Sequence, residues 1–349
     1  MLSVGLVGLP NAGKSTLFNL LTKQSVPAEN YPFCTIDPSD AIVSVPDLRI
    51  DKLAEMVSAD KKVYAAIEFR DIAGLIKGAS SGEGLGNQFL SHILEVDLIL
   101  LVVRAFENDD IIHVENRVSP QDDEEILLME LILHDQARLE KAIQRLTKDA
   151  KTDKMAKLKL ETAELFIEAF KNNELASSVV LDINIDQEIT KWRKQLNLIT
   201  DKPVLRLKNI STDGKNQDYV ADFELDVALE CSLVDMTMEE RAELGVEGET
   251  GLDLMIQACF RKLNLCTYLT AGKVEARAWT FEKGLKAPAC AGKIHTDFAK
   301  KFIMADVVSY QDYVSNGGEK GCKEKGLCRM EGKNYVVQDG DVVEFKIGG

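Results

Sequence analysis

Eight residues near the amino terminus, Gly8-Leu9-Pro10-Asn11-Ala12-Gly13-Lys14-Ser15, are spaced G-x-x-x-x-G-K-S. This is the pattern of a phosphate-binding loop, or P-loop. Its glycines let backbone N–H groups converge on an anion at the positive end of the helix that follows. Lys14 has the charge and reach to contact β- and γ-phosphates, and the Ser15 hydroxyl can ligate Mg²⁺. The flanks agree. Leu2 to Val7 is an apolar run of strand length, and Thr16-Leu17-Phe18-Asn19-Leu20-Leu21 opens an amphipathic helix.

Further along, Val63, Ala65, Ile67 and Phe69 alternate as in a half-buried strand that runs into Asp71-Ile72-Ala73-Gly74. An acidic residue at the carboxyl end of such a strand is placed to hold Mg²⁺ through water, and the Gly74 N–H to meet the γ-phosphate. Between the first helix and a strand around Ala41 to Val45, the proline-bracketed Tyr31 to Pro38 reads as a loop. Thr35 in it is the candidate that completes the Mg²⁺ shell, the other reading being a turn threonine. Leu75 to Gly86 is glycine-dense and predicts a second switch loop. Ras-like enzymes place a water-orienting glutamine at its start. Leu75 stands there and cannot orient water, which predicts slow hydrolysis or another group in that role. His113, one of four histidines, follows the buried-strand run Asp97 to Val103. It either swings toward the γ-phosphate to position water or is a loop histidine without a role. His92, His134 and His295 have no comparable placement.

The chain that must position these groups has 349 residues, enough for two or three domains, with the apolar (45%) and charged (28%) content of an ordinary globular protein. No stretch approaches the roughly 20 apolar residues of a membrane span, and the first strand begins without a signal-peptide pattern, so a cytoplasmic protein without membrane contact is expected. Seven cysteines with no C-x-x-C pair suit free thiols rather than a disulfide framework or a zinc site. Net charge −15 argues against a globally basic, DNA-binding surface.

Glu124 to Thr147 and Lys154 to Phe170 repeat apolar residues at helical spacing without Pro or Gly, predicting an antiparallel helical hairpin. Arg138, Lys141, Arg145, Lys148, Lys151, Lys154, Lys157 and Lys159 outnumber the acids around its tip. They form either a solvated face or an RNA-contacting arm. Pro203 to Asn209 returns to strand character. Asn209-Ile210-Ser211-Thr212 then falls where GTPases carry N-K-x-D, whose carboxylate accepts guanine N1–H and N2–H₂. Thr212 cannot accept both, and each buried unpaired donor costs about 1–3 kcal/mol, so guanine preference should be lost. Val227 to Cys231 is read as a last strand and Leu252 to Leu263 as a closing helix. From Thr267, strands at Ala276–Phe281, 335–337 and 342–345 with one or two helices predict a small α+β domain.

Together these residues closely resemble the YchF/Obg-like ATPases, a branch of the translation-factor-related P-loop GTPases. The resemblance runs nearly end to end, most specifically over residues 8–15, 31–37, 71–89, 266–277 and 291–298. It implies an α/β fold with three parts. These are an OBG-type P-loop G domain with a parallel-rich sheet (1–116 and 203–265), an inserted coiled-coil hairpin (117–202) and a carboxy-terminal β-grasp TGS domain (266–349). It also implies Mg²⁺-dependent hydrolysis of ATP, less readily GTP, by a nucleotide switch that binds the ribosome through rRNA or ribosomal proteins. By match of motif, Asn11, Ala12, Gly13, Lys14, Ser15 and Thr16 would hold the phosphates, Asn209 and Ile210 the base side, and Ser15, Thr35 and, through water, Asp71 the metal. Lys14, Gly74 and His113 would carry the catalytic roles. Asn11 matches the asparagine of relatives assisted by K⁺. One departure stands out: the family's N-x-x-E is Asn209-Ile210-Ser211-Thr212 here. The alternatives are a nucleotide-loaded binding module with incidental hydrolysis and a GTP-preferring enzyme.

Overall fold

The computed structural model describes the chain apart from residues 27–38, 73–84, 109, 112, 114–116, 182–186, 247 and 349, and the side chains of 85–88 and 238. Thr35, Gly74 and Leu75, with most of both proposed switch loops, lie outside the described residues.

From the amino terminus run β1 (Ser3–Val7), α1 (Lys14–Lys23), β2 (Asp40–Ser44), α2 (Leu48–Val57), β3 (Lys61–Val63), β4 (Ala66–Asp71), α3 (Leu85–Glu95) and β5 (Leu98–Arg104). The helical insertion follows as α4 (Pro120–Asp149), α5 (Lys154–Lys171) and α6 (Gln187–Leu196). Then come β6 (Val204–Asn209), β7 (Phe223–Leu225), α7 (Val227–Leu233), α8 (Met238–Glu243) and α9 (Gly251–Lys262). The carboxy-terminal part holds β8 (Leu265–Ala271), β9 (Glu275–Glu282), α10 (Ala287–Ile294), α11 (Thr296–Lys301) and β10 (Phe302–Ser309). It ends with α12 (Tyr310–Ser315), α13 (Glu319–Glu324), β11 (Arg329–Glu331) and β12 (Asp341–Ile347). The described residues fall into two compact units, one within Met1–Lys23, Tyr31–Ala41 and Glu68–Glu247, the other within Gln24–Asn30, Ile42–Ile67 and Gly248–Gly349.

One six-stranded sheet is ordered β2-β4-β1-β5-β6-β7. β1 pairs parallel with β4 and β5, β5 with β6, and β6 with β7. Every residue of β5 is buried, as a strand covered on both faces requires. Parallel pairing aligns the carboxyl ends of these strands on one edge, where open α/β sheets bind their ligands. The base of α4 is fastened there too: Leu127 and Leu131 join the cluster of Val7, Ile99, Leu101 and Val103. From that base to its tip, α4 runs 30 residues in all, about 45 Å at the α-helical rise. Its seam with α5 buries Ile132, Leu139, Phe166 and Phe170. A fully buried carboxylate closes the insertion, since Asp135 accepts from Ile199 N–H at 3.1 Å and from Thr200 N–H and hydroxyl, both at 2.7 Å.

The second unit carries a sheet ordered β11-β10-β12-β8-β9-β3. β8–β9 and β10–β12 are antiparallel and β12–β8 parallel, a β-grasp arrangement with α10 packed on Tyr268 and Phe281. The six cysteines other than Cys34 are free thiols. Burial pushes Cys259 and Cys290 up to about 12, so both are inert core residues.

Three local expectations need correction. The alternation from Val63 to Phe69 is two strands, not one. β3 pairs with β9 in the second sheet while β4 pairs with β1 in the first. Val227 to Cys231 is helix, because the Asp226 side chain caps it by accepting Leu229 N–H; the last strand is the short β7 before it. Residues 335–337 contribute only an isolated bridge, Lys286 to Val336, and the carboxy-terminal part holds four helices. Among the described residues, no helix is long and apolar enough to cross a membrane.

Candidate nucleotide site

The turn between β1 and α1 is shaped by close approach. Asn11 has φ 64° and Gly13 φ 100°, in the left-handed region that glycine enters without strain and asparagine tolerates. A Cβ on Gly8 would lie 2.4 Å from the Val102 carbonyl oxygen, and one on Gly13 2.3 Å from Asn209 Nδ2. The first glycine therefore lets the turn approach β5, and the second lets it approach the last residue of β6. Ser15 and Thr16 are exposed at the start of α1. Lys14 is only 6% exposed, and its Nζ donates to the Leu9 carbonyl at 2.9 Å.

Asp71 ends β4 in register with Leu6 of β1. Its Oδ1 is buried and has no hydrogen-bond partner among the described residues. Burial raises this carboxyl above the ordinary range, opposed by the Lys14 charge. Burial likewise lowers Lys14 to about 8, opposed by Asp71. Each group is thus pushed toward neutrality, and a polyanion at Lys14 or a cation at Asp71 would relieve the penalty. An orphaned carboxylate oxygen together with an exposed serine hydroxyl is the hard-oxygen donor set that Mg²⁺ takes. When bound, that ion supplies charge neutralisation to phosphoryl oxygens.

A pH dependence follows from Lys14. A bound triphosphate favours its ammonium form, so affinity should be level below about pH 8 and fall above it as free Lys14 loses its proton. Affinity for the Mg²⁺ complex of ATP at pH 9 should be about tenfold weaker than at pH 7. Titration calorimetry in two buffers of different ionisation enthalpy should show proton uptake near pH 9. A flat profile without proton uptake would contradict this assignment.

After β5, the buried Arg104 organises the connection. It donates to the carbonyls of Phe106 at 3.0 Å, Asn108 at 3.1 Å and Ile111 at 2.9 Å, and lies 4.6 Å from the Phe106 ring centroid. His113 is 6% exposed, with Nε2 2.9 Å from Oδ2 of the buried Asp123 in the first turn of α4. At the end of β6, Asn209 Nδ2 donates to the Ala12 carbonyl at 3.0 Å, and its Oδ1 accepts from Val227 N–H at 3.4 Å. One side chain thus ties the phosphate turn to the loop where a base would lie. A cleft of about 580 Å³ opens between them, lined by Asn11, Gly13, Thr16, Phe106, Asn209 and Ile210 among others.

The structure therefore gathers Asn11, Gly13, Thr16, Asn209 and Ile210 on one cleft and sets Lys14 and Asp71 within each other's field. Ala12 is buried and contributes its carbonyl to Asn209. His113 is held apart from the cleft lining by Asp123. Sequence reasoning missed Arg104, Asp123 and Asp226. Only Asp226 left a local signal, an Asp directly before an apolar run, which marks a helix N-cap.

Residues 3–148 match the family described as "50S ribosome-binding GTPase", and residues 265–348 match YchF-GTPase_C, described as "Protein of unknown function (DUF933)". The Bacillus subtilis protein named ribosome-binding ATPase YchF is 48% identical, over 99% of both chains. The Gallus gallus protein named Obg-like ATPase 1 is 42% identical, over 99% of this chain and 92% of its own. The solved structure of the Schizosaccharomyces pombe YchF GTPase superposes with a TM-score of 0.85 at 36% identity, covering 99% of this chain and 97% of that one. With the P-loop turn, the helical insertion and the β-grasp part all accounted for along one alignment, the chain belongs to the YchF/Obg-like ATPase family of P-loop proteins.

Proposed function

We propose that this protein is a slow Mg²⁺-dependent nucleoside triphosphatase, converting ATP and water to ADP and phosphate, with GTP used less readily. It acts as a cytoplasmic switch that engages the ribosome according to whether the terminal phosphate is attached. The observation that carries this reading is the pairing of the buried Lys14 with the half-buried Asp71, whose buried Oδ1 is orphaned among the described residues, beside a turn built by close approach. Lys14 would bind the β- and γ-phosphates, Asn209 would hold the base loop against the turn, and Ser15, Thr35 and Asp71 would hold Mg²⁺. Gly74 would meet the γ-phosphate, and a K⁺ beside Asn11 would supply charge that an arginine finger gives elsewhere.

The names of the bacterial relatives support ATP and the ribosome. On α4, Arg138, Lys141, Arg145 and Lys148 recur at three- and four-residue intervals on one face, and the last three are exposed with Lys151, Lys154 and Lys157. Such a stripe on a chain of net charge −15 suits contact with RNA phosphates. The fission-yeast relative is called a GTPase, which keeps a GTP-preferring reading as the alternative.

Calorimetric titration with ATP and GTP, with and without ribosomes, tests the proposal alongside phosphate release. ATP should bind more tightly, and ribosomes should change its affinity. Unstimulated turnover should be of order 10⁻⁴–10⁻² s⁻¹, as for unassisted relatives of the superfamily. Tens of turnovers per second without ribosomes would sink the slow-switch reading.

A further inference from the structure

The phosphate-holding residues do not choose a base, and the position that reads guanine in related folds is Thr212. Thr212 does not act alone. Its N–H and its hydroxyl both donate to Oδ2 of Asp226, at 2.7 and 2.9 Å. Asp226 caps α7, its Oδ1 accepting from Leu229 N–H at 3.0 Å. Burial opposes the charge, but the donors from Leu229 and Thr212 prevail and hold this carboxyl below the ordinary range. It is therefore ionised at neutral pH and can only accept.

That fixes the hydroxyl. A threonine has one O–H proton and two lone pairs. With the proton committed to Asp226, Thr212 Oγ1 offers only acceptor sites to anything else. Both residues line the same cleft as Asn209 and Ile210. An acceptor whose own proton is committed elsewhere matches the exocyclic amine of adenine, which donates at position 6. Guanine with its 6-position turned the same way would set O6 against an acceptor with nothing to give it.

We propose that Thr212 Oγ1, locked as an acceptor by Asp226, reads the base and selects adenine through its 6-amino group. This rests on the nucleoside triphosphatase reading and names its substrate determinant. Thr212 would contact the base, and Asp226 would be a positioning residue.

The test pairs ligands with variants. ATP and purine riboside triphosphate, which lacks the 6-amino group, are titrated in the presence of Mg²⁺ into the parent and into Thr212→Val. Valine keeps the shape and the backbone N–H to Asp226, so the α7 cap stays. The parent should prefer ATP by about tenfold, the effect of one hydrogen bond at a partly exposed site, and Thr212→Val should bind the two alike. In Asp226→Asn the hydroxyl is free to turn and donate, so inosine triphosphate, with a carbonyl at position 6, should gain several-fold on ATP. Tight ATP binding with the amine preference undiminished in Thr212→Val overturns the base reading alone. Failure of the parent to bind any nucleoside triphosphate overturns the triphosphatase reading and this one with it.

Discussion

Lys14→Ala is expected to weaken ATP binding by about 30- to several-thousand-fold, the range for removing one partner of a buried, hydrogen-bonded charge pair. The same substitution should leave the fold nearly as stable. In the free protein Lys14 is buried, its one hydrogen bond among the described residues is to the Leu9 carbonyl, and burial has lowered it to about 8, so the ammonium is more a burden to the folded state than a support. Thermal unfolding separates the two effects. A ligand that binds only the native state raises the midpoint in proportion to ln(1 + [L]/Kd), so millimolar ATP with Mg²⁺ should raise the parent's midpoint well above the variant's, from similar ligand-free values. Lys14→Met, which keeps the side-chain length, should behave as the alanine does. An equal ATP-induced shift in parent and variants would remove the phosphate turn from the mechanism.

That turn was legible in the sequence because its demands are local. Gly8, Gly13, Lys14 and Ser15 are contiguous, and each answers a constraint set by its own neighbours: close backbone approach, a left-handed φ, a cation, a hydroxyl. The hairpin was legible for a similar reason, since helical periodicity over α4 and α5 needs no knowledge of the partner. What failed was pairing at a distance. Alternation from Val63 to Phe69 states that one face is buried but not which sheet buries it, and β3 leaves for β9 after three residues. The run after Asp226 has strand composition, yet a single side-chain cap decides it for helix. Arg104 sits at the end of a fully apolar strand, where composition predicts nothing charged; three carbonyls and a ring face make its burial tolerable. Thr212 and Asp226 are fourteen residues apart, and no local pattern joins them.

His113→Ala should lower the rate of phosphate release by about 10²- to 10⁴-fold, the usual contribution of a positioned acid–base group, while ATP affinity stays within about threefold. His113 is not among the residues that line the base-side cleft, and its ring is engaged with Asp123, so its removal should leave ground-state binding nearly intact. Its ring is buried against Asp123, and a carboxylate that accepts from Nε2 selects the tautomer protonated there. To reach a water at the γ-phosphate, the ring must leave that partner. Asp123→Asn replaces a charge-assisted hydrogen bond with a neutral one, roughly half as strong. The variant should therefore release the ring more often and raise turnover about threefold, provided Arg104, whose charge Asp123 also faces, still holds the 106–111 connection. Single-turnover measurements on both variants decide between readings. Loss of hydrolysis in His113→Ala with ATP still bound, and a gain in Asp123→Asn, identify a histidine that works away from its resting partner. A fall in both would instead make Asp123 the group that orients the ring in place. Unchanged turnover in His113→Ala would favour a nucleotide-loaded binding module whose hydrolysis is incidental.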